Sequence, residues 1–169
     1  QANQTAGCSI VQYVGNNTAG AKLAHGLSQK PKTIWIKNRD QAASSDAWYV
    51  YTEGTSADTT NSPDFYMLLN DDAGVVNDAT VFNDTSPTSS VFTIGNHVGV
   101  NTNTENYVAY CFHSVEGFSR IDRYLGNGNA AGPYVITGFE PQFLIIKSGT
   151  SNPSGNGDWL VADSMRGLN

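Results

Sequence analysis

Short apolar runs alternate with polar turns along the whole chain, and this pattern predicts strands. The runs are rich in β-branched and aromatic residues and are bounded by Gly, Pro, Asn, Asp or Ser, which is typical of β-strands. The predicted strands are Cys8–Val14, Thr33–Asn38, Ala47–Thr52, Phe65–Asn70, Val91–Ile94, Tyr107–Ser114, Phe118–Leu125, Tyr134–Thr137, Gln142–Lys147 and Asp158–Ala162. No segment carries a convincing helical pattern. The chain is therefore predicted to be all-β, an antiparallel β-sandwich of the jelly-roll kind.

Three of these strands are candidates for the buried interior. Residues Tyr107–Phe112 read YVAYCF, in which both the odd and the even positions are apolar. This pattern predicts a central strand covered on both faces. In Thr33–Lys37 and in Gln142–Lys147, apolar and polar residues alternate less regularly. We expect both segments to be core strands. Each follows a proline, Pro31 or Pro141, that cannot donate to a sheet and so marks the start of its strand.

The chain also repeats itself after roughly 110 residues. Gly7–Gly20 corresponds to Gly117–Gly132, and the later motifs follow in the same order: AHGL with ITGF, PKTIWIK with PQFLIIK, and WYV with WLV. We therefore predict a first sandwich unit over residues 1–116. Residues 117–169 are predicted to start a second, incomplete unit, either packed on the first or separate from it. Because the second copy stops soon after its Trp and the chain begins without Met, we expect a fragment or a processed protein.

Two long polar stretches, Gly54–Asp64 and Asp71–Ser90, separate the predicted strands. Loops of this length in a compact domain usually carry function or form an interface. The alternative is that they cover and blunt the edges of the sheets. The sequence leaves both interpretations open.

The charge balance and the lengths of the apolar stretches exclude two kinds of partner. The net charge is −6, and the nine Lys and Arg residues are scattered, so no basic stripe is present to neutralise a run of phosphates. We therefore expect no nucleic-acid binding. No apolar stretch reaches the roughly 18 residues that a membrane helix needs, and we expect no membrane insertion.

Candidate catalytic side chains lack supporting motifs. His25, His97 and His113 are isolated in sequence, and His25 occupies the position that Thr137 fills in the second copy. Because His and Thr can both form a hydrogen bond near a turn, we expect this role for His25 rather than catalysis. Glycosidases need a pair of carboxyls across a cleft, and no motif selects two of the candidate glutamates. These candidates are Glu53, Glu105, Glu116 and Glu140.

The remaining chemical signals are weak. The chain has no G-x-S-x-G motif, and the Gly-rich segment Gly126–Gly132 fits a turn better than a nucleotide-binding loop. Asn70–Asp72 and Asn77–Asp78 offer oxygen ligands suited to Ca²⁺, but their spacing does not match the EF-hand pattern, and a solvated acidic turn is the favoured interpretation. We predict no catalytic residue, no metal and no cofactor. Cys8 and Cys111 are expected to be buried free thiols, and a disulfide between them stays an alternative.

Carbohydrate binding is a function whose requirements this composition meets, because aromatic rings stack on sugars while amides and hydroxyls bond their OH groups. Trp48 and Trp159 occupy equivalent positions in the repeat, so we expect both to serve the core. Tyr51 and Tyr66 are better candidates for an exposed binding surface. The sequence does not identify the binding residues.

Motifs along nearly the whole chain resemble those of one family. They are SIVQYVGN at Ser9–Asn16, AHGL at Ala24–Leu27, P-x-x-I-x-I-K-N-R-D at Pro31–Asp40, WYVY at Trp48–Tyr51, LLND at Leu68–Asp71, SPTSSVFTIG at Ser86–Gly95, YVAYCFHSVEGFSR at Tyr107–Arg120, YLGNG at Tyr124–Gly128, GPYVITGFEPQFLIIK at Gly132–Lys147 and DSMRG at Asp163–Gly167. In this order they resemble a repeat-containing domain of tail-fibre and structural proteins of tailed bacteriophages, especially marine ones. No motif in the set is known as catalytic.

The resemblance implies a noncatalytic virion component, located in the tail of the particle. Such a tail-fibre or adhesion module is expected to form a homotrimer, to contact other virion proteins and to bind a host-surface glycan or protein through many weak contacts. One alternative is a carbohydrate-active enzyme, such as a capsule depolymerase, or its binding module. Another is a purely structural decoration or filament protein.

Overall fold

The computed structural model describes residues 1–40, 47–55, 62–149 and 157–166. Part of the first long polar stretch, residues 56–61, lies outside them. The described strands are β1 (Ala2–Asn3), β2 (Cys8–Val14), β3 (Ala21–Ala24), β4 (Thr33–Asn38), β5 (Trp48–Thr52), β6 (Phe65–Leu68), β7 (Val76–Asn77), β8 (Val91–Ile94), β9 (Asn106–Phe112), β10 (Phe143–Lys147) and β11 (Trp159–Asp163). Two single-turn helices, α1 (Ala79–Phe82) and α2 (Val98–Asn101), and a 3-10 turn at Ser62–Asp64 complete the set. The prediction of an all-β chain is confirmed.

Seven strands form one antiparallel sheet in the order β1-β2-β9-β4-β5-β6-β7. Strand β9 lies between β2 and β4 and pairs with both along its length, with Val108 opposite Gln12 on one side and Lys37 on the other. The central position predicted from YVAYCF is confirmed. Two smaller sheets are formed by β3 with β8 and by β10 with β11.

The core lies on one face of the seven-stranded sheet. Alternate residues of the central strands point into it, including Ile34 and Ile36 of β4, both fully buried. Strand β8 covers this face with Phe92 and Ile94, and α1 adds Phe82. Burying each such side chain contributes about 1.5–3 kcal/mol. The prediction that β4 is a core strand is confirmed.

The second long polar stretch supplies part of this core. Helix α1 lies inside it and buries Val81 and Phe82. Asp78 caps the helix by accepting a hydrogen bond from the Thr80 amide at 2.8 Å, and Asn83 ends it in the left-handed conformation with φ 53°. A helix of one turn is too short for helical periodicity to show in the sequence, which explains why it was not predicted.

A buried amide ties the second helix to the first strands. Asn101 in α2 donates from Nδ2 to the Gly95 carbonyl at 2.7 Å and to the Thr18 carbonyl at 3.0 Å. Its Oδ1 accepts from the Asn16 amide at 2.8 Å. A fully bonded buried side chain of this kind fixes a loop in one arrangement, because any other arrangement leaves polar atoms unpaired.

The second copy of the repeat forms only some of its predicted strands. Strands were predicted at Phe118–Leu125 and Tyr134–Thr137, and both predictions are wrong, because these residues are not in strands. Their first-copy counterparts, β2 and β3, are paired with β9 and β8. No described residue provides a counterpart of β8 or β9 to the second copy. A strand without a pairing partner leaves its backbone groups unpaired.

The β10–β11 hairpin has both of its strands and does form. Its register, with Lys147 opposite Trp159, matches that of β4–β5, where Lys37 is opposite Trp48. Its residues remain half-buried or exposed, so the expectation that Gln142–Lys147 is a core strand is wrong for the described part of the chain.

The two cysteines lie on opposite faces of the large sheet. Cys8 is opposite Phe112 and Ser9 is opposite Cys111 in the β2–β9 register, and successive residues of a strand point to opposite faces. Both thiols are free. Cys111 is buried, and burial raises its pKa to about 12. Cys8 is only half-buried, so the expectation of a buried thiol is confirmed for Cys111 and wrong for Cys8.

Helix α1 gives the first testable prediction. Phe82 is 2% exposed and packs edge-on against Tyr51 with ring centroids 5.5 Å apart. Phe82→Ala removes this packing, and we expect it to lower the free energy of unfolding by about 3–5 kcal/mol in urea titrations. The control is Val76→Ala in the same polar stretch, where the side chain is 37% exposed and the expected loss is below about 0.5 kcal/mol. Equal losses in the two variants would show that α1 is not part of the core.

Candidate functional site

Four aromatic side chains form a surface on the face of the large sheet opposite the core. We call this surface, made of Trp35, Trp48, Tyr110 and Phe112, the aromatic face. All four side chains are half-buried. The ring centroids of Trp35 and Phe112 are 5.3 Å apart, and those of Trp48 and Tyr110 are 6.0 Å apart. Such contacts between rings on neighbouring strands stabilise a sheet while leaving ring surface open to solvent.

Strand register brings these residues together. Trp35 of β4 is directly opposite Tyr110 of β9, and Ile10 of β2 is opposite Tyr110 on the other side. Ile10 is 46% exposed and borders the aromatic face. The result is a partly open apolar platform about three strands wide. Such a platform suits a ligand that lies flat on the surface rather than one that is enclosed in a pocket.

An open cleft of about 430 Å³ lies beside the start of β5. We call it the acidic cleft. Its lining residues are Leu69, Asn70, Asp71, Asp72, Asp158 and Trp159. The Trp48 amide donates to Asn70 Oδ1 at 3.0 Å, and the Leu69 amide donates to the Trp48 carbonyl at 3.0 Å. Trp48 therefore belongs to the aromatic face and lies next to the acidic cleft.

The β10–β11 hairpin forms one wall of the cleft. Trp159 Nε1 donates to the Leu68 carbonyl at 2.9 Å. Lys147 Nζ lies 5.7 Å from the Trp159 ring centroid and donates to the carbonyls of Asp71 and Gly157. The cleft thus combines carboxylates, an amide and an aromatic ring, which are groups that bind hydroxyl-rich ligands.

The structure changes the roles expected of the aromatic residues. Trp48 and Trp159 were expected to serve the core, and this is wrong: Trp48 lies on the opposite face and Trp159 at the cleft. Tyr51 was a candidate for an exposed sugar platform, but it is 1% exposed, and burial raises its pKa. Tyr66 is half-buried and packs against Tyr49 with centroids 5.3 Å apart. The pairing of the strands decides which of these residues are buried, and the apolar pattern of each strand alone does not reveal that pairing.

The three histidines make local hydrogen bonds. His25 Nδ1 accepts from the Leu27 amide at 3.1 Å, and its Nε2 donates to the Thr88 carbonyl at 3.2 Å. The expected turn hydrogen bond is confirmed, and Thr137 makes a related one to the Phe139 carbonyl. His113 donates to its neighbouring Ser114 carbonyl, and His97 caps α2. Among the residues that the structure describes, no three His, Cys, Asp or Glu side chains are placed to hold a metal ion.

Two of the candidate glutamates are engaged with other side chains. Glu53 pairs with Lys30 at 2.8 Å and with Lys32. Burial raises the pKa of Glu53, but the hydrogen bonds from both lysines outweigh it and the net shift is downward. Glu105 bonds to Asn38 and Tyr107. Glu116 and Glu140 are exposed.

A pair of carboxyls that no sequence motif indicated lies beside α1. A hydrogen bond to Asp84 raises the pKa of the Asp64 carboxyl, and burial adds to the shift. Two carboxyls in contact hold one proton between them more easily than two negative charges. The 3-10 turn and the end of α1 bring the two residues together, and their sequence separation gives no hint of it.

The buried His25 predicts a pH dependence of stability. Burial lowers the pKa of His25 in the folded protein, and His113 adds to the shift. Its contribution to stability is therefore complete above the unfolded pKa of about 6.5 and is lost as the pH falls through the folded pKa. We expect the stability difference between the wild type and His25→Thr to shrink from pH 7.5 to pH 5, measured by urea unfolding at each pH. A difference that stays constant with pH would contradict the assignment of His25 as a neutral buried group.

No described helix has the length and apolar character needed to cross a bilayer. No curated protein and no solved structure matches this chain. One family model does match, over residues 1–168, and its description is "Domain of unknown function (DUF7483)". Because the match covers nearly all of the sequence, the chain belongs to the DUF7483 family.

Proposed function

We propose that the chain is a duplicated β-sandwich, with one unit over residues 1–116 and part of a second over 117–169. The equal registers of β4–β5 and β10–β11 support the duplication. Left-handed backbone positions recur as well, in the pairs Gly7 and Gly117, Asn17 and Gly128, Gly20 and Gly132, and Gly26 and Gly138. Seven of these eight positions are glycines, which adopt positive φ without steric cost, so the two copies place left-handed turns at the same points of the repeat. For the sandwich, the support is that β3 and β8 pack across the core from the large sheet.

The proposed function is a noncatalytic virion component, a tail-fibre or adhesion module that binds a host-surface glycan or protein. The resemblance to phage tail-fibre domains suggests this setting. The observation that carries the binding proposal is that the half-buried aromatic face and the acidic cleft are neighbours, joined by the hydrogen bond from the Trp48 amide to Asn70. Rings stack on the apolar faces of sugars, and Asn and Asp side chains bond their hydroxyls.

The platform is shallow, so a single site of this kind binds weakly. A homotrimer presents several copies together and converts weak contacts into strong attachment through effective concentration. In this proposal the trimer belongs to the tail of the particle and contacts other virion proteins through surfaces other than the aromatic face.

Trp48→Ala tests the binding surface. The wild type is screened on a glycan array, and the affinity for the best ligand is then measured by calorimetry. Loss of one stacking contact of about 0.5–1.5 kcal/mol weakens monovalent binding by about 2–13-fold. Tyr134→Ala is the matched control, because Tyr134 is an exposed aromatic at 92% exposure outside the aromatic face, and its binding should equal the wild type.

Three outcomes separate the proposal from its alternatives. Equal affinity in Trp48→Ala and wild type would remove the aromatic face as the binding surface. Release of reducing ends from a glycan, lost in Asp72→Asn or Asp158→Asn, would favour the depolymerase. Absence of binding to any glycan or host-surface protein would favour a structural decoration protein.

The oligomeric state is a separate prediction. Light scattering with size-exclusion chromatography should find a trimer whose mass does not change on dilution from about 100 to 1 μM, because subunits of fibres remain associated at low concentration. Trp48→Ala should remain trimeric, since the proposal leaves the aromatic face free in the trimer. A monomer throughout this range, for the intact parent protein, would overturn the fibre proposal.

A further inference from the structure

The backbone of β10 has one edge that no described strand pairs with. On its other side β10 pairs with β11, and the Ser164 amide donates to the Gln142 carbonyl at 3.0 Å. In an antiparallel pair, residues alternate between facing the partner strand and facing away. Counting from Gln142, Leu144 and Ile146 face β11. The N–H and C=O groups of Phe143, Ile145 and Lys147 therefore point to the open edge.

The first unit shows what occupies the equivalent edge. The Glu53 amide donates to the Lys32 carbonyl, and the Arg39 amide donates to the Asn106 carbonyl. By the same alternation, Thr33, Trp35 and Lys37 of β4 face β9, and they are the repeat counterparts of Phe143, Ile145 and Lys147. The two hairpins therefore have the same register, and equivalent residues of β4 and β10 direct their backbone N–H and C=O groups away from the hairpin partner.

Three apolar side chains of the second hairpin are also exposed. Phe143 is 57% exposed and Val161 is 52% exposed on one face, and Leu160 is 57% exposed on the other. In the first unit the position equivalent to Leu160 is Tyr49, which is 7% exposed. An unpaired strand edge with apolar residues on both faces is a template for another strand.

We infer that the open edge of β10 binds an antiparallel strand that, like β9, is apolar on both faces. The expected register follows from β4–β9, where Thr33 is opposite Phe112 and Trp35 is opposite Tyr110. The residue equivalent to Phe112 then lies opposite Phe143, and the residue equivalent to Tyr110 lies opposite Ile145. The inference rests on the proposed duplication but not on glycan binding.

The test uses the whole chain and a fluorescein-labelled peptide of residues 104–113 that carries Cys111→Ser. Fluorescence anisotropy should show saturable binding, and a scrambled peptide should not bind. Ile145→Pro removes one outward N–H without removing a bond to β11, and we expect it to weaken binding at least tenfold. The matched control is Val161→Pro, which removes an N–H on the opposite edge of the same hairpin and should change binding less than twofold.

Hydrogen exchange on the wild-type chain provides an independent readout. The bound peptide should slow exchange of the amides of Phe143, Ile145 and Lys147, whereas those of Leu144 and Ile146 are already bonded to β11. Saturable binding with this alternating protection supports the inference. Absence of binding, or equal binding by Ile145→Pro, would overturn it. A dimer that Ile145→Pro dissociates, without peptide binding, would assign the edge to a second copy and also overturn it. Because glycan affinity is measured separately, loss of peptide binding alone leaves the proposed function intact.

Discussion

The pairing of β9 with β2 and β4 is the interaction on which the rest of the structure depends. It joins β2 and β4 to residues about 70 to 100 positions later in the chain, and it completes the sheet that the core packs against. It also places Tyr110 and Phe112 beside Trp35. The same pairing therefore builds the buried face and the aromatic face. Contacts so distant in sequence are slow to form, and we expect the large sheet to assemble late in folding.

The second copy shows what happens to the same kind of sequence without that pairing. Residues 118–125 correspond to β2 but do not form a strand, whereas β10 and β11 form because each has the other. Apolar runs predicted strands in both copies. The availability of a partner decides which segments become strands, in agreement with the dependence of β-structure on context.

The dependence on a pairing partner also explains which features of the fold could be predicted from the sequence. The bounds of β2, β4 and β8 follow from the apolar runs and were predicted correctly, and the central place of β9 follows from its two apolar parities. Helix α1 was missed because one turn carries no periodicity. The aromatic face was missed because it depends on which residues of β4, β5 and β9 lie opposite one another. Register is a property of pairs of strands, and the apolar pattern within a single strand does not reveal which residues lie opposite it.

The opposite placement of the two cysteines offers a direct way to observe this surface. Cys111 is sealed in the core, and burial holds it as an unreactive thiol. Cys8 is opposite Phe112 in the register and shares its face of the sheet. A thiol-reactive dye will therefore attach at Cys8 alone in the folded protein, beside the aromatic face. The natural sequence thus already carries a single labelling position from which the arrival of a ligand is visible as a change in fluorescence.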